Sequence, residues 1–239
     1  MKVRLNKYLA ECGIASRRGA DEIIKSGIVK INGKVAAAMG LEVDTANDTV
    51  TVDGTVVKPV SAYTYVMLNK PKGCVTTASD QDRDRKTVYD YLDYPVRLFS
   101  IGRLDYDSEG LLLFTNDGDL AQKLTHPSRE IPKTYVVKVE GDVPENDLAL
   151  LRKGVELDGR KTKRAKIKLI GKEQDGKISR FEMVIYEGRN RQIRRMFESV
   201  GKNVVFLKRT AVGDLRLGGL GRGKSRYLKD YEINYLMQL

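Results

Sequence analysis

The apolar positions of this chain change period along its length. Near the start they recur at helical spacing: Leu5, Leu9 and Cys12 share one face, and Gly13 is placed to end that helix. Ser16 suits the cap of a second helix, with Ala20, Ile23 and Ile24 as its apolar side and Gly27 as its stop. The period then drops to two. Residues 28–31, the Asn32-Gly33 turn and Lys34-Val35 predict a hairpin, and 49–52, Asp53-Gly54 and 55–57 predict another. Lys58-Pro59-Val60-Ser61-Ala62 punctuates the pattern as a linker. We therefore expect a small helix-pair and hairpin module over 1–58 and a larger domain over 63–239. In the larger part, strand-like runs fall at 65–68, 111–114, 134–139, 165–170, 181–186 and 204–207. Helical segments fall at 120–124, 145–153, 191–199 and 229–237. Strands outnumber helices without alternating with them, which predicts an α+β domain with a mixed, mostly antiparallel sheet.

Charge narrows the choice of partner. The 239 residues carry a formal net charge of +11, which points to a polyanion. The excess is local: the first 34 residues hold eight Lys or Arg against three acids. Arg4, Lys7, Arg17, Arg18, Lys25 and Lys30 are the candidates for phosphate contact there, against the plain alternative of a solvated helical face. A second basic stretch, 152–168, invites the same expectation. No apolar run approaches the ~18 residues of a membrane span, and the first residues lack a signal-peptide core, so a cytoplasmic protein is expected. Two cysteines and one histidine make a zinc site improbable, and no metal or cofactor is expected. His126, before Pro127, suits a turn. The glycine-rich 218–223 loop lacks the Lys-Ser/Thr spacing of a phosphate-binding P-loop.

The chemistry concentrates in Gly102-Arg103-Leu104-Asp105-Tyr106-Asp107-Ser108-Glu109-Gly110-Leu111-Leu112-Leu113. A polar loop here abuts an unbroken apolar run, and Asn116-Asp117-Gly118 closes it with a turn. An Asp beside Arg103 and an apolar wall would stay ionised yet poorly solvated, which suits a nucleophile. An isolated Arg-x-Asp would more simply be a structural ion pair. Leu68-Asn69-Lys70-Pro71-Lys72-Gly73 reads as a strand end turning with two exposed lysines. Lys133-Thr134-Tyr135 starts a strand, and Gly188-Arg189-Asn190-Arg191-Gln192-Ile193-Arg194-Arg195 opens a cationic helix. Leu207 lies in an apolar run suited to core packing.

Taken together these strings resemble a known family. Gly-Arg-Leu-Asp followed by Ser-Glu-Gly-Leu-Leu-Leu and Thr-Asn-Asp-Gly resembles the central motif of the RsuA/RluB-type pseudouridine synthases. Arg-Leu-Asn-Lys-Tyr-Leu-Ala, Ile14-Ala15-Ser16-Arg17-Arg18 and Gly27-Ile28-Val29-Lys30-Ile31-Asn32-Gly33 resemble the S4 RNA-binding domain. The resemblance implies a ribosomal RNA uridine isomerase without cofactor, with Asp105 as nucleophile, Tyr135 stacked on the target uracil and Arg194 paired with Asp105. It further implies that Arg103 supports base flipping, that Leu207 contacts the uracil, and that Lys70, Lys133, Arg189 and Arg191 serve the substrate site. A loose likeness at 219–224 to the RluB type favours large-subunit over small-subunit RNA, and a monomer is the default. The contrasting expectation is a non-catalytic ribosomal RNA-binding assembly factor, with transfer RNA as a weaker substrate choice.

Overall fold

The structure is a computed structural model that describes residues 1–78 and 85–239. It divides into two compact units: Met1–Thr64 with Tyr94–Leu98 and Asn116–Gly118, and Tyr65–Asp93 with Phe99–Thr115 and Asp119–Leu239.

The first unit contains β1 (Lys2–Arg4), α1 (Leu5–Glu11), α2 (Arg17–Lys25), β2 (Val29–Ile31), β3 (Lys34–Val35), β4 (Glu42–Asp44), β5 (Val50–Val52) and β6 (Thr55–Val56). Ser16 caps α2 as its sequence position predicts, its hydroxyl accepting the Gly19 N–H at 3.0 Å. Both expected hairpins form, in a sheet ordered β3-β2-β5-β6. Asn32 and Gly33 take positive φ, as do Asp53 and Gly54, the backbone that two-residue hairpin turns require. Leu5, Leu9, Ala20, Ile24, Val29 and Val50 close one core between helices and sheet. The pairing of β1 with β4 leaves no signature in the sequence, because three-residue strands carry too little periodicity.

The second unit contains β7 (Tyr65–Lys70), β8 (Phe99–Ile101), β9 (Glu109–Thr115), α3 (Gly118–Thr125), β10 (Lys133–Glu140), α4 (Glu145–Lys153), β11 (Glu156–Leu157), β12 (Arg160–Lys161), β13 (Lys166–Glu173), β14 (Ile178–Ile185), α5 (Gln192–Glu198), β15 (Val204–Val212), β16 (Leu215–Arg216), β17 (Ser225–Tyr227) and α6 (Asp230–Gln238). Its large sheet runs β13-β14-β10-β15-β9-β7-β17, with only β15 and β9 parallel along that path. The α+β class is thus the observed one.

The two halves of this sheet differ in cover. Strand β9 reads as a continuous apolar run because both of its faces are buried. Leu111 and Leu113 join the core with Leu120, Leu124 and Leu236 of α3 and α6, while Phe114 meets Tyr89 edge-on at 5.7 Å. Strands β10 and β14 instead alternate buried and partly exposed residues, the mark of a sheet with one covered face. Where the halves join, Gly110 lies opposite Arg209. A Cβ at Gly110 would overlap the Arg209 carbonyl oxygen, and its φ of 105° also disfavours any other residue. That close crossing fixes the loop preceding β9. The glycine-rich loop docks on the sheet instead of standing free: Asn69 donates to the Leu220 carbonyl and Arg222 pairs with the buried Glu109.

Candidate active site

The loop carrying Asp105 is held by its carbonyls. Lys70 is fully buried, and its ammonium donates to the carbonyl oxygens of Pro71 at 3.1 Å, Asp105 at 2.9 Å and Ser108 at 2.9 Å. This corrects the expectation of an exposed lysine: with all three N–H bonds satisfied, the ammonium tolerates burial. Desolvation pulls its pKa down, opposed by Cys74, Asp105 and Asp107. The Gly73 N–H donates to the Tyr106 carbonyl at 2.9 Å, and the Thr76 hydroxyl donates to the Leu104 carbonyl at 2.8 Å. Backbone N–H of Ser108 to the Asp105 carbonyl closes the turn.

The two carboxylates of this loop have opposite surroundings. Asp107 accepts from Arg191 Nη1 at 3.1 Å and lies 3.1 Å from Arg194 Nη2. Burial alone would raise its pKa, but the Arg191 hydrogen bond and both guanidinium charges outweigh that and hold it below the usual carboxylate range. Among the described residues, the Asp105 carboxylate makes no ion pair. Two expected pairings are therefore corrected. Arg194 pairs with Asp107, because its guanidinium is anchored on the Val204 carbonyl at 2.6 Å and the Asp107 carbonyl at 3.1 Å. The Asp105 charge still acts on Arg194 across the gap. Arg103 is exposed and forms no ion pair with its neighbour Asp105.

Asp105 lines a cavity of about 220 Å³ together with Arg103, Lys133, Tyr135, Arg189, Arg191 and Leu207. Of the nine residues expected in this site, only Lys70 and Arg194 lie outside the lining, both behind the Asp105 loop. The volume is below the ~300–1,000 Å³ of pockets for drug-sized ligands, and matches one small flat ring better than a large molecule. Tyr135 and Leu207 are buried on β10 and β15, and Ile185, Ile193 and Val212 complete an apolar floor. Lys133 is a half-buried cation here. Desolvation, with repulsion from Arg209 and Lys163, brings its pKa down to about 8.

The cationic helix start sorts its arginines. Arg189 is consumed by the β11–β12 hairpin, donating to the carbonyls of Arg160 at 2.8 Å and Lys161 at 2.7 Å. Arg195 forms a two-point pair with Asp158 in the same hairpin. Arg191 caps α5 in the left-handed region, at φ 47°, which turns it away from its neighbours toward Asp107. Gln192 braces the bend, accepting the Arg189 N–H at 3.0 Å and donating to Glu187 at 2.8 Å.

Three cavity residues escape a reading of the sequence. Arg209 is buried and donates to the Leu111 carbonyl at 2.7 Å, across the parallel junction no local pattern reveals. Ser108 presents a buried hydroxyl without a partner among the described residues. His126 lines the cavity while also capping a one-turn helix at 127–129, so the expected turn role is half the account. In the first unit, Arg4, Arg17, Arg18 and Lys30 are exposed and pair with no carboxylate among the described residues. Lys25 pairs with Glu22 at 2.9 Å and Lys7 with Glu11 at 3.4 Å.

A small cavity walled by the Asp105 carboxylate and Tyr135, in a chain whose first thirty residues present cations unpaired among the described residues, is the arrangement an enzyme acting on an RNA nucleotide needs. The comparisons give that class its family. Residues 64–199 match the RNA pseudouridylate synthase family and residues 3–50 match the S4 domain. The chain belongs to the RNA pseudouridylate synthase family. It is 46% identical to the ribosomal large subunit pseudouridine synthase B of Bacillus subtilis (strain 168), over 99% of this chain and 96% of the relative. It is 40% identical to the dual-specificity RNA pseudouridine synthase RluF of Escherichia coli (strain K12), over 99% of this chain and 79% of that one. A crystal structure of a pseudouridylate synthase superposes with a TM-score of 0.70 at 35% identity, covering 98% and 99% of the two chains.

Proposed function

We propose that this chain isomerises one uridine of large-subunit ribosomal RNA to pseudouridine, with Asp105 as the nucleophile. The observation that carries this is the division of labour within one loop. Asp107 takes up the two arginines, which leaves the Asp105 carboxylate unpaired at the cavity wall beside Tyr135. The 46% identity to a relative named for the large ribosomal subunit supports the choice of RNA.

A stacked uridine hides its glycosidic bond, so the nucleotide must first turn out of its helix at a cost of a few kcal/mol. Arg103, exposed at the cavity mouth, can fill the vacated stack or hold the phosphate. Tyr135 then stacks on the uracil over Leu207, a contact worth ~1–3 kcal/mol per base. The C1′–N1 bond breaks, Asp105 attacks C1′ or promotes a glycal, the detached uracil rotates, and C5 bonds to C1′. N1 gains a proton and C5 loses one, so the reaction is redox-neutral. Lys70 positions Asp105 through its carbonyl, and Arg194 and Arg191 position the loop through Asp107. Residues 1–58 dock the enzyme on structured RNA through Arg4, Arg17, Arg18 and Lys30, with Lys7 and Lys25 in support. One chain carries every group the reaction uses, so a monomer suffices.

The test is Asp105→Asn assayed beside Asp107→Asn on ribosomal RNA fragments. The first should lose roughly 10⁴-fold or more in pseudouridine formation while its RNA affinity stays within about twofold. Near wild-type isomerisation by the Asp105→Asn variant sinks the nucleophile. Product confined to small-subunit fragments sinks the choice of RNA.

A further inference from the structure

The catalytic cavity occupies one face of the sheet, and the opposite face has features of its own. Tyr135, Val137 and Leu207 point toward the cavity and core, so Val136, Lys138, Phe206 and Lys208 point the other way. The register extends that row: Lys168 lies opposite Glu182, which lies opposite Val136, which lies opposite Lys208. Lys168 and Glu182 are exposed and the others are only half-buried, in contrast to the buried row on the cavity side.

At its centre stands an aromatic ring with two ammonium groups close by. Lys72 Nζ lies 5.3 Å and Lys138 Nζ 5.4 Å from the centroid of Phe206. Lys138 is committed to Glu173 at 2.7 Å, but Lys72 and Lys208 make no ion pair among the described residues. The patch is continuous with the Asp105 loop. Lys72 sits between Lys70, which holds the Asp105 carbonyl, and Gly73, which donates to the Tyr106 carbonyl.

We propose that this face binds a single-stranded segment of the substrate RNA flanking the target nucleotide, with one base stacked on Phe206 and its phosphates on Lys72 and Lys208. The proposal rests on the reading of the chain as an RNA-modifying enzyme. An unpaired base has a free face to lay on an aromatic ring, whereas a duplex offers only its edges and backbone. The uncompensated lysines supply the charge that phosphates need. Lys72 links that loop to the ring: its neighbour Gly73 holds the Tyr106 carbonyl, and its own ammonium lies 5.3 Å from the Phe206 centroid.

The chain contains no tryptophan, so Phe206→Trp in the full-length protein places its one tryptophan, excited selectively at the red edge beyond tyrosine absorption, at the proposed stacking site. Titration with a large-subunit ribosomal RNA fragment carrying a single-stranded flank should quench its emission saturably. Phe206→Leu keeps the apolar volume and should weaken binding of that fragment roughly five- to hundredfold, with kcat at saturating RNA and the melting temperature unchanged. Lys72→Gln should flatten the dependence of log affinity on log salt by about 0.7. Unchanged emission at RNA concentrations that saturate binding overturns the proposal, as does Phe206→Leu binding within twofold of wild type. Equal quenching by polyglutamate overturns the choice of RNA. Pseudouridine formation by the wild-type protein is measured in parallel, so failure of the enzymatic reading registers separately from failure of the stacking site.

Discussion

The first thirty residues and the start of α5 are both rich in cations, yet they use them in opposite ways. Arg4, Arg17, Arg18 and Lys30 reach into solvent with no carboxylate partner among the described residues. Arg189, Arg191, Arg194 and Arg195 all have protein acceptors: two hold Asp107 and two hold the β11–β12 hairpin. Local charge density therefore does not identify a phosphate-binding surface. A guanidinium already engaged by carbonyls and carboxylates organises the protein, and only an unengaged one is free to exchange its counterions for RNA.

The strongest way to break this contrast is at Arg194. Its side chain is 11% exposed and serves three acceptors, whereas Arg191 is 45% exposed and serves one partly solvated carboxylate. Arg194→Met should cost about 3 kcal/mol of unfolding free energy, because two carbonyls and Asp107 lose a charged donor. Arg191→Met should cost about 0.5 kcal/mol, the scale of an exposed pair. Denaturant melts of the two variants decide it. Equal losses would mean that Arg194 is no more an organiser than its neighbour, and the sorting of the helix would fail.

The same contrast shows what can be read from the chain alone. Strands β9 and β10 and helix α4 are legible because apolar period and length agree over whole elements. The members of the cavity are legible as well: Asp105, Tyr135, Lys133 and Leu207 do line one space. The partner of each charge is not. Asp105 and Asp107 stand two residues apart, and only the turn closed by Ser108, together with the anchoring of Arg194 on the Val204 carbonyl, decides which is clamped. Lys70 misleads for a related reason. A lysine in a basic turn looks solvated until three backbone carbonyls are seen to converge on it. Arg209 depends on the parallel junction of β15 with β9, nearly a hundred residues apart in sequence, as the Arg209–Leu111 bond between residues 98 apart shows.

Lys133 falls between the two classes, free of ion pairs among the described residues yet half-desolvated, and it sharpens the comparison through pH. Its folded-state pKa of about 8 lies below the ordinary lysine value of 10.5. Between those values the unfolded chain binds the extra proton, so this group's contribution makes the protein more stable as pH rises through that window. Activity should move the other way if the charge serves the substrate. Above pH 8 the ammonium is lost, and KM for RNA should rise with kcat little changed. Lys133→Gln should remove both trends, with KM already raised about threefold to tenfold at pH 7. A KM profile in the glutamine variant that still climbs through pH 8 would assign the titration elsewhere.

The smallest effect on the fold is expected where the charges are free. Replacing Arg17 and Arg18 together by Gln removes two exposed guanidinium groups at the first turn of α2, ahead of the buried Ala20 and Ile24. Ser16 still caps the helix, and the positive end of the helix dipole even gains slightly from losing like charge. Unfolding free energy should stay within about 0.5 kcal/mol of wild type. RNA binding should nonetheless weaken about equally for every sequence tested, with the salt slope flattened by up to about 1.8 for two phosphate contacts. Filter binding across a salt series measures this directly. A double variant that loses stability but keeps its salt slope would show these arginines to be organisers like those of α5, and would shift RNA contact to other exposed cations of that unit, Arg4 and Lys30 among them.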